Sequence, residues 1–167
     1  MKTKRLALWA ILVTVGLAFS YFESFIPLSA IAPGLKLGLA NSVVLLLLNS
    51  GDIKGAYAVN TIRVCIASLL FGTPMSFAFS IAGALLSTTA MALVSRTKNV
   101  SPFGAGILGG AAHNIGQLIM AAAVFKTFSV FSLVPWLTLI GAACGALTGF
   151  IVLLLIKNKH INNLFSR

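Results

Sequence analysis

The chain has 167 residues, with 12 Lys and Arg against 2 Asp and Glu, and its formal net charge is +10. Hydrophobic residues make up 59% of it and charged residues only 8%, and the mean hydropathy is +1.04. Soluble domains carry about 25% charged residues, and nucleic-acid binders become basic by gaining Lys and Arg. The composition therefore excludes most soluble proteins and nucleic-acid partners, and it indicates an integral protein of the lipid bilayer.

Six apolar runs follow one another along the chain, separated by proline, glycine and polar clusters. A membrane-spanning helix needs about 20 predominantly apolar residues, so the length leaves no room for a separate soluble domain. We predict a single all-α domain, 1–167, that is a polytopic bundle of six transmembrane helices. The predicted spans are approximately Leu6–Ile26, Leu35–Leu48, Ala56–Phe71, Phe77–Val94, Phe103–Phe125 and Val134–Ile156.

Basic residues divide unequally between the two sides of such a bundle. The side that carries both termini collects Lys2, Lys4, Arg5, Lys54, Arg96, Lys98, Lys157, Lys159 and Arg167, and the other side holds only Lys36 and Lys126. Positively charged loops stay in the cytoplasm, so we expect a multi-pass protein of the cell membrane with both termini cytoplasmic. A cleaved signal peptide is the alternative for the first run. That run is longer than the 7–15 apolar residues of a signal sequence, and no clean cleavage site follows it.

Polar side chains inside the spans are the candidate functional residues, because hydrocarbon tolerates them only beside a partner or a watery cavity. Asn60 and Arg63 lie one helical turn apart on the third span. With the orientation above, most of the polar residues fall in the middle and outer half of the bilayer, which predicts a ligand site open to the outside. The predicted substrate-binding residues are Lys36, Asn41, Arg63, His113, Asn114 and Gln117.

A structural alternative assigns no ligand to these residues. Arg63 would then pair with Glu23 or with loop carbonyls, and the polar residues of the fifth span would only hold helices together.

The spacing of Gly106, Gly110, His113 and Gln117 predicts a single stripe on the fifth span, in which a groove of small residues leads into the polar patch.

Residues for autonomous catalysis are missing from the pattern. The two carboxylates, Glu23 and Asp52, are expected on opposite sides of the membrane and cannot form an Asp-rich magnesium–diphosphate site. The sequence contains no phosphate-binding loop, no HExxH or GxSxG motif, and no cluster of Cys and His with metal-ligand spacing. We therefore predict neither an enzyme, nor a metal site, nor a cofactor.

Two longer motifs resemble a known family. The run PGLKLGLAN, from Pro33 to Asn41, is similar to the P-G-x-K-x-G-x-A-N signature of the Gx transporter family, also called heptaprenyl diphosphate synthase component I. The run GGAAHNIGQ, from Gly109 to Gln117, continues the match, which covers about residues 5–125. This family resembles the substrate-binding S-components of energy-coupling-factor (ECF) vitamin transporters.

The resemblance implies a function and partners. S-components are six-helix proteins that bind a small molecule on the outer side and dock on a transmembrane scaffold subunit with two ATPase subunits. It implies that the chain takes up a small nutrient or a precursor of a cofactor or isoprenoid quinone. Many S-components dock through an A-x-x-x-A face on the first helix, and the corresponding residues here are Ala10, Thr14 and Ala18.

Two other functions stay open at the level of the sequence. The chain could be a membrane accessory subunit of prenyl diphosphate or quinone biosynthesis that has no catalytic site of its own. It could also be a structural anchor of an electron-transfer complex, without a ligand.

Overall fold

The computed structural model describes residues 2–25, 38–97, 99–158 and 165, and the regular elements in this part of the chain are all helices. A short 3-10 helix, Ser129–Leu133, precedes the last α-helix. The α-helices are α1 (Lys2–Ser24), α2 (Asn41–Asn49), α3 (Ile53–Phe71), α4 (Pro74–Ser95), α5 (Pro102–Phe125) and α6 (Val134–Lys157). The predicted all-α class is confirmed.

Polar residues placed just before the apolar runs determine where three of the helices begin. The Asp52 carboxylate accepts a hydrogen bond from the Gly55 N–H at the start of α3. Thr73 and Ser76 form a reciprocal capping box at the start of α4. Ser101 caps α5 directly before a proline in its first turn. These side chains satisfy N–H groups that a helix leaves without an internal partner.

Five of the helices are long and apolar enough to cross a membrane: α1, α3, α4, α5 and α6. They contain 19 to 24 residues, or about 29 to 36 Å at 1.5 Å per residue. The structure is that of a polytopic membrane bundle. The nine residues of α2 extend only about 13 Å, less than half of a hydrocarbon core about 30 Å thick.

The second apolar run differs from its prediction. A continuous helix over Leu35–Leu48 is wrong for the described residues 38–40, which form a turn, and α2 begins only at Asn41. Gly38 has φ +82, a left-handed conformation that glycine adopts without the cost that a side chain imposes. The Asn41 N–H donates to the Gly38 carbonyl at 2.9 Å. Apolar composition alone did not reveal this interruption.

The centre of the bundle is α2, which packs against all the long helices. Its residues from Asn41 to Leu48 are all buried, as expected of a helix that is apolar on every side. Around α2 the contacts run from α1 to α3, α4, α5 and α6 in turn. The main hydrophobic core forms where α2 meets Leu12, Val59, Met91 and Val152.

Glycines bring α5 and α6 into backbone contact. A Cβ atom added to Gly141 would come within 2.5 Å of the Gly110 carbonyl oxygen, and one added to Gly149 would lie 2.7 Å from the Phe103 Cα. Such close approach is typical of helices that associate in lipid through small residues.

The bundle has two chemically different ends. The start of α1 lies beside the start of α3, where Arg5 forms an ion pair with Asp52. We call this the basic end, because the exposed residues Lys4, Lys54, Arg96 and Lys157 also lie at helix ends there. At the opposite, aromatic end the Tyr21 ring contacts those of Phe25 and Phe71 at centroid distances of 4.9 and 5.6 Å.

Candidate functional site

Arg63 joins α3 to α1 near the middle of the bundle. It is only 5% exposed, and its side chain crosses α1 at Gly16, where a Cβ atom would lie 2.6 Å from the Arg63 Cδ. Its Nη1 donates to the Ser20 hydroxyl at 2.8 Å, and its Nη2 and Nε donate to the Asn60 Oδ1 at 2.6 and 3.2 Å. Asn60 and Arg63 share one face of α3, as their spacing of one helical turn predicts, and the hydrogen bonds between them were not predicted.

The amide of Asn60 carries this network onto α4. Its Nδ2 donates to the Thr88 hydroxyl at 2.8 Å and to the Ala84 carbonyl at 3.3 Å. The carbonyl partner settles the orientation of the amide, because the nitrogen must face an acceptor and the oxygen the guanidinium. Arg63 is thus held by Ser20 directly and by Thr88 through Asn60, and neither hydroxyl residue was predicted.

Glu23 is the acidic residue closest in sequence to this network, one turn beyond Ser20 on α1. It is 5% exposed, and it accepts a short hydrogen bond from the backbone N–H of Leu39. It forms no direct ion pair with Arg63 among the described residues. The carboxylate therefore holds the turn before α2 against the end of α1.

Asn41, the first residue of α2, lies deep in the bundle. Its Nδ2 is 3.1 Å from the hydroxyl of Ser87, which is 13 residues beyond the start of α4, or about 20 Å along that helix. Backbone without helical hydrogen bonds is tolerated at such depth only inside protein or beside a water-filled cavity. The turn 38–40 therefore lies deeper than the outer position expected from the sequence.

His113 lies between that turn and α4. A Cβ atom on Gly38 would be 3.5 Å from the imidazole Cγ and Cδ2, and one on Gly83 would be 3.1 Å from Cε1 and 2.9 Å from the Gln117 Cγ. His113 and Gln117 are 3% and 0% exposed. Both side chains occupy space that the two glycines leave open.

Asn114 faces the other neighbour of α5. Its Nδ2 donates to the Leu137 carbonyl at 2.6 Å and lies opposite Gly141 of α6. The predicted stripe is therefore divided: Gly106 and Gly110 pack against α6, whereas His113 and Gln117 pack against α4. Residues close together on one face of α5 contact different helices because α4 and α6 flank that face.

These side chains form a buried polar layer across the middle of the bundle. The structure brings together five of the six predicted site residues in or near it, and Lys36 lies outside the described residues. Sequence reasoning missed Ser20, Ser87 and Thr88, and the only signal that could have found them was a hydroxyl side chain inside an apolar run. The polar layer consists of Ser20, Asn41, Asn60, Arg63, Ser87, Thr88, His113, Asn114 and Gln117.

The predicted docking residues lie on the outer face of α1. Ala10, Thr14 and Ala18 are all exposed, and they recur every fourth residue. The Thr14 hydroxyl donates to the Ala10 carbonyl of its own helix at 3.0 Å. This internal bond satisfies the hydroxyl, so the face remains small and weakly polar in contact with lipid or protein.

The chain's two carboxylates are far apart and engaged in different ways. Asp52 at the basic end accepts hydrogen bonds from Arg5, from the Trp9 indole at 2.9 Å and from the Gly55 N–H at 3.0 Å. Burial disfavours its charged form, but these hydrogen bonds and the Arg5 charge outweigh burial and lower the pKa of Asp52. Among the residues that the structure describes, no three His, Cys, Asp or Glu side chains group as metal ligands.

The sequence matches the family model of heptaprenyl diphosphate synthase component I over residues 12–155. The chain belongs to that family. The family description fits a membrane-associated component of an isoprenoid-forming system, and it implies a second component as partner. No curated protein and no solved structure matches the chain. The further resemblance to ECF S-components stays a prediction.

Proposed function

We propose that this family member is a substrate-binding membrane subunit that holds a small molecule at the polar layer and works as an S-component of an ECF-type importer. Arg63 is the observation that carries the proposal. A charged side chain in the middle of a membrane bundle is costly, and such residues generally mark a ligand or ion pathway. Among the described residues the guanidinium is positioned by neutral groups and not by a direct ion pair.

Hydrogen-bond counting supports an anionic or accepting group beside Arg63. A guanidinium has five N–H donors, and three of its donor directions are used by Ser20 and Asn60. Two N–H groups therefore have no partner among the described residues. A carboxylate or phosphate on the ligand would accept both and would offset the charge.

The opposite requirement applies on the α5–α6 side of the layer. The Asn114 Nδ2 donates to the Leu137 carbonyl, which fixes the orientation of the amide and leaves its Oδ1 as an acceptor. That oxygen, together with the Ser80 hydroxyl, is buried without a hydrogen-bond partner in the described part of the chain. A ligand with an N–H or O–H donor would satisfy Asn114, so we infer a molecule that carries both an accepting group and a donor.

We further propose that the Ala10–Thr14–Ala18 face docks on a transmembrane scaffold subunit that works with two ATPase subunits. This face is exposed and made of small side chains, which allow close helix contact in lipid. Replacing Ala10 and Ala18 by Leu should abolish copurification of the scaffold. The same change at Ala143, an exposed alanine of α6, is the matched control and should leave copurification intact.

Native mass spectrometry of the purified full chain tests the binding function. We expect a bound small molecule that is lost from Arg63→Met and Asn114→Leu. Thr89→Val removes a hydroxyl from the exposed side of α4 and should retain it. Absence of any small molecule from protein purified in mild detergent, with no uptake in cells that express the chain and its partners, would overturn the proposal.

A second function is favoured by the family description, which names a component of a prenyl diphosphate synthase. Under it the chain would be an accessory membrane subunit, because Glu23 and Asp52 lie at opposite ends and cannot share a magnesium ion. Affinity purification of the tagged chain separates the two functions. A scaffold and ATPases in the eluate support the importer, and a soluble prenyl synthase supports the accessory subunit.

A further inference from the structure

The start of α1 and the start of α3 form a compact cationic surface, which we call the basic foot and define as Lys4, Arg5, Trp9 and Lys54. Lys4, Arg5 and Lys54 are exposed. The Arg5 guanidinium lies over the Trp9 ring, 4.9 Å from its centroid, and the Arg5 side chain is 48% exposed even though it pairs with Asp52. An Arg5–Trp9 pair thus lies at the starts of α1 and α3, where Lys4 and Lys54 are also exposed.

No acidic side chain of the chain is available to neutralise this surface. Asp52 accepts two hydrogen bonds from Arg5, one from Trp9 and one from Gly55, which fills the roughly four acceptor positions of a carboxylate. The only other acid is Glu23, which lies at the aromatic end of α1. The charges of Lys4 and Lys54 are therefore not neutralised by an acidic side chain and can attract an anion from outside the chain.

The surroundings of the basic foot identify that anion as a lipid headgroup. Leu6 and Ile11 lie beside it on α1, and each is 60% exposed, which suits contact with acyl chains. A Trp whose indole N–H is hydrogen-bonded, next to cationic side chains, is typical of the boundary between hydrocarbon and headgroups. An acidic protein surface would instead leave these apolar residues exposed to water.

We propose that the basic foot binds an anionic phospholipid, with the headgroup phosphate among Lys4, Arg5 and Lys54 and the acyl chains along Leu6 and Ile11. The site is independent of the buried polar layer. Each Lys or Arg near such a surface raises the affinity for anionic lipid roughly fivefold, and screening by salt weakens this attraction.

Quenching of Trp9 fluorescence by brominated lipids tests the proposal with the full chain in vesicles. Trp136→Phe removes the second tryptophan, which lies at the aromatic end and is 69% exposed. Vesicles contain either dibrominated phosphatidylglycerol in phosphatidylcholine or dibrominated phosphatidylcholine in phosphatidylglycerol, at equal mole fraction. We expect stronger quenching by the brominated phosphatidylglycerol, and we expect high salt to reduce the difference.

The double variant K4Q/K54Q is made in the Trp136→Phe background. It should reduce the preference of the Trp9 site for phosphatidylglycerol over phosphatidylcholine by roughly fivefold for each charge removed. It leaves the Arg5–Asp52–Trp9 cluster intact, and an unchanged Trp9 emission maximum verifies the fold. Lys126→Gln at the opposite end is the matched control and should leave the preference at Trp9 unaltered. Equal quenching by the two lipids, or an unchanged preference in the double variant, would overturn the proposal and leave the basic foot to an acidic protein partner.

Discussion

Replacement of Gly110 by Ala should destabilise the bundle, because the added Cβ atom has no room. It would overlap the Gly141 carbonyl oxygen and lie 2.9 Å from the Gly141 carbonyl carbon and 3.0 Å from the Gly145 Cα. All three atoms belong to the α6 backbone, so no side chain can rotate away. The two helices would have to separate along the most extensive helix–helix interface of the bundle.

The size of the effect follows from what must move. Overpacking a well-packed interior by one methyl-sized group costs about 1–3 kcal/mol, and for a chain of this length each kcal/mol lowers Tm by about 2–4 °C. Gly104→Ala, on the same helix, is the matched control. Its Cβ would meet only the side-chain atoms Val100 Cγ1 at 3.2 Å and Ser101 Oγ at 3.9 Å. Any gain in helix propensity is common to both variants.

Thermal unfolding in mild detergent, followed with a thiol-reactive fluorophore, measures the difference. Cys65 and Cys144 are free and only partly exposed, and Cys144 adjoins Gly145 in the interface. We expect G110A to expose thiols about 2–12 °C below G104A. If both variants unfold at the same temperature, the contact between α5 and α6 is not as close as the glycines indicate.

Three further outcomes are expected. Arg63→Met should lower the free energy of unfolding by about 1–3 kcal/mol, because the Asn60 Oδ1 loses its donors. In a double-mutant cycle with Asn60→Leu the two losses should not add, and simple additivity would contradict the network. The pKa of Asp52 is lowered in the folded state, so its stabilisation should be complete above its unfolded-state pKa of about 4 and disappear as pH falls through the lower folded-state value. The Tm of Asp52→Asn should therefore approach that of the unmodified protein in acid, and a pH-independent gap would refute this. Gly38 and Gly51 share a left-handed backbone, with φ +82 and +79, but only Gly38 faces Asn41 and His113. G38A should therefore have a lower Tm than G51A, and only G38A should weaken ligand retention in native mass spectrometry.

The five long helices and the class of protein could be predicted from the sequence. Apolar runs of membrane length and the placement of Lys and Arg at their ends are properties of local sequence, and a bilayer selects them without reference to tertiary contacts. The predicted end of the third run at Phe71, the fifth run at Phe125 and the start of the sixth at Val134 agree with α3, α5 and α6. The polar candidates were found for the same reason, since a polar residue is conspicuous in an apolar run.

The partners of those polar residues could not be predicted. Ser87 and Thr88 are adjacent in sequence, but one contacts Asn41 and the other Asn60. Likewise His113 faces α4 and Asn114 faces α6. Adjacent residues on a helix point about 100° apart, so which neighbour each one meets depends on how the helices pack.

The apolar, charge-poor sequence by itself indicated a membrane protein, and the positions of Lys and Arg along it indicated which end of the bundle is positive, because lipid excludes charge and leaves it at the boundaries. Only the tertiary structure decided that Asp52 is fully engaged by Arg5 and Trp9, that α2 begins in the middle of the bundle, and that Arg63 is held by Ser20 and Asn60. These features depend on contacts between helices far apart in sequence, and such contacts leave no periodic signal in any single span.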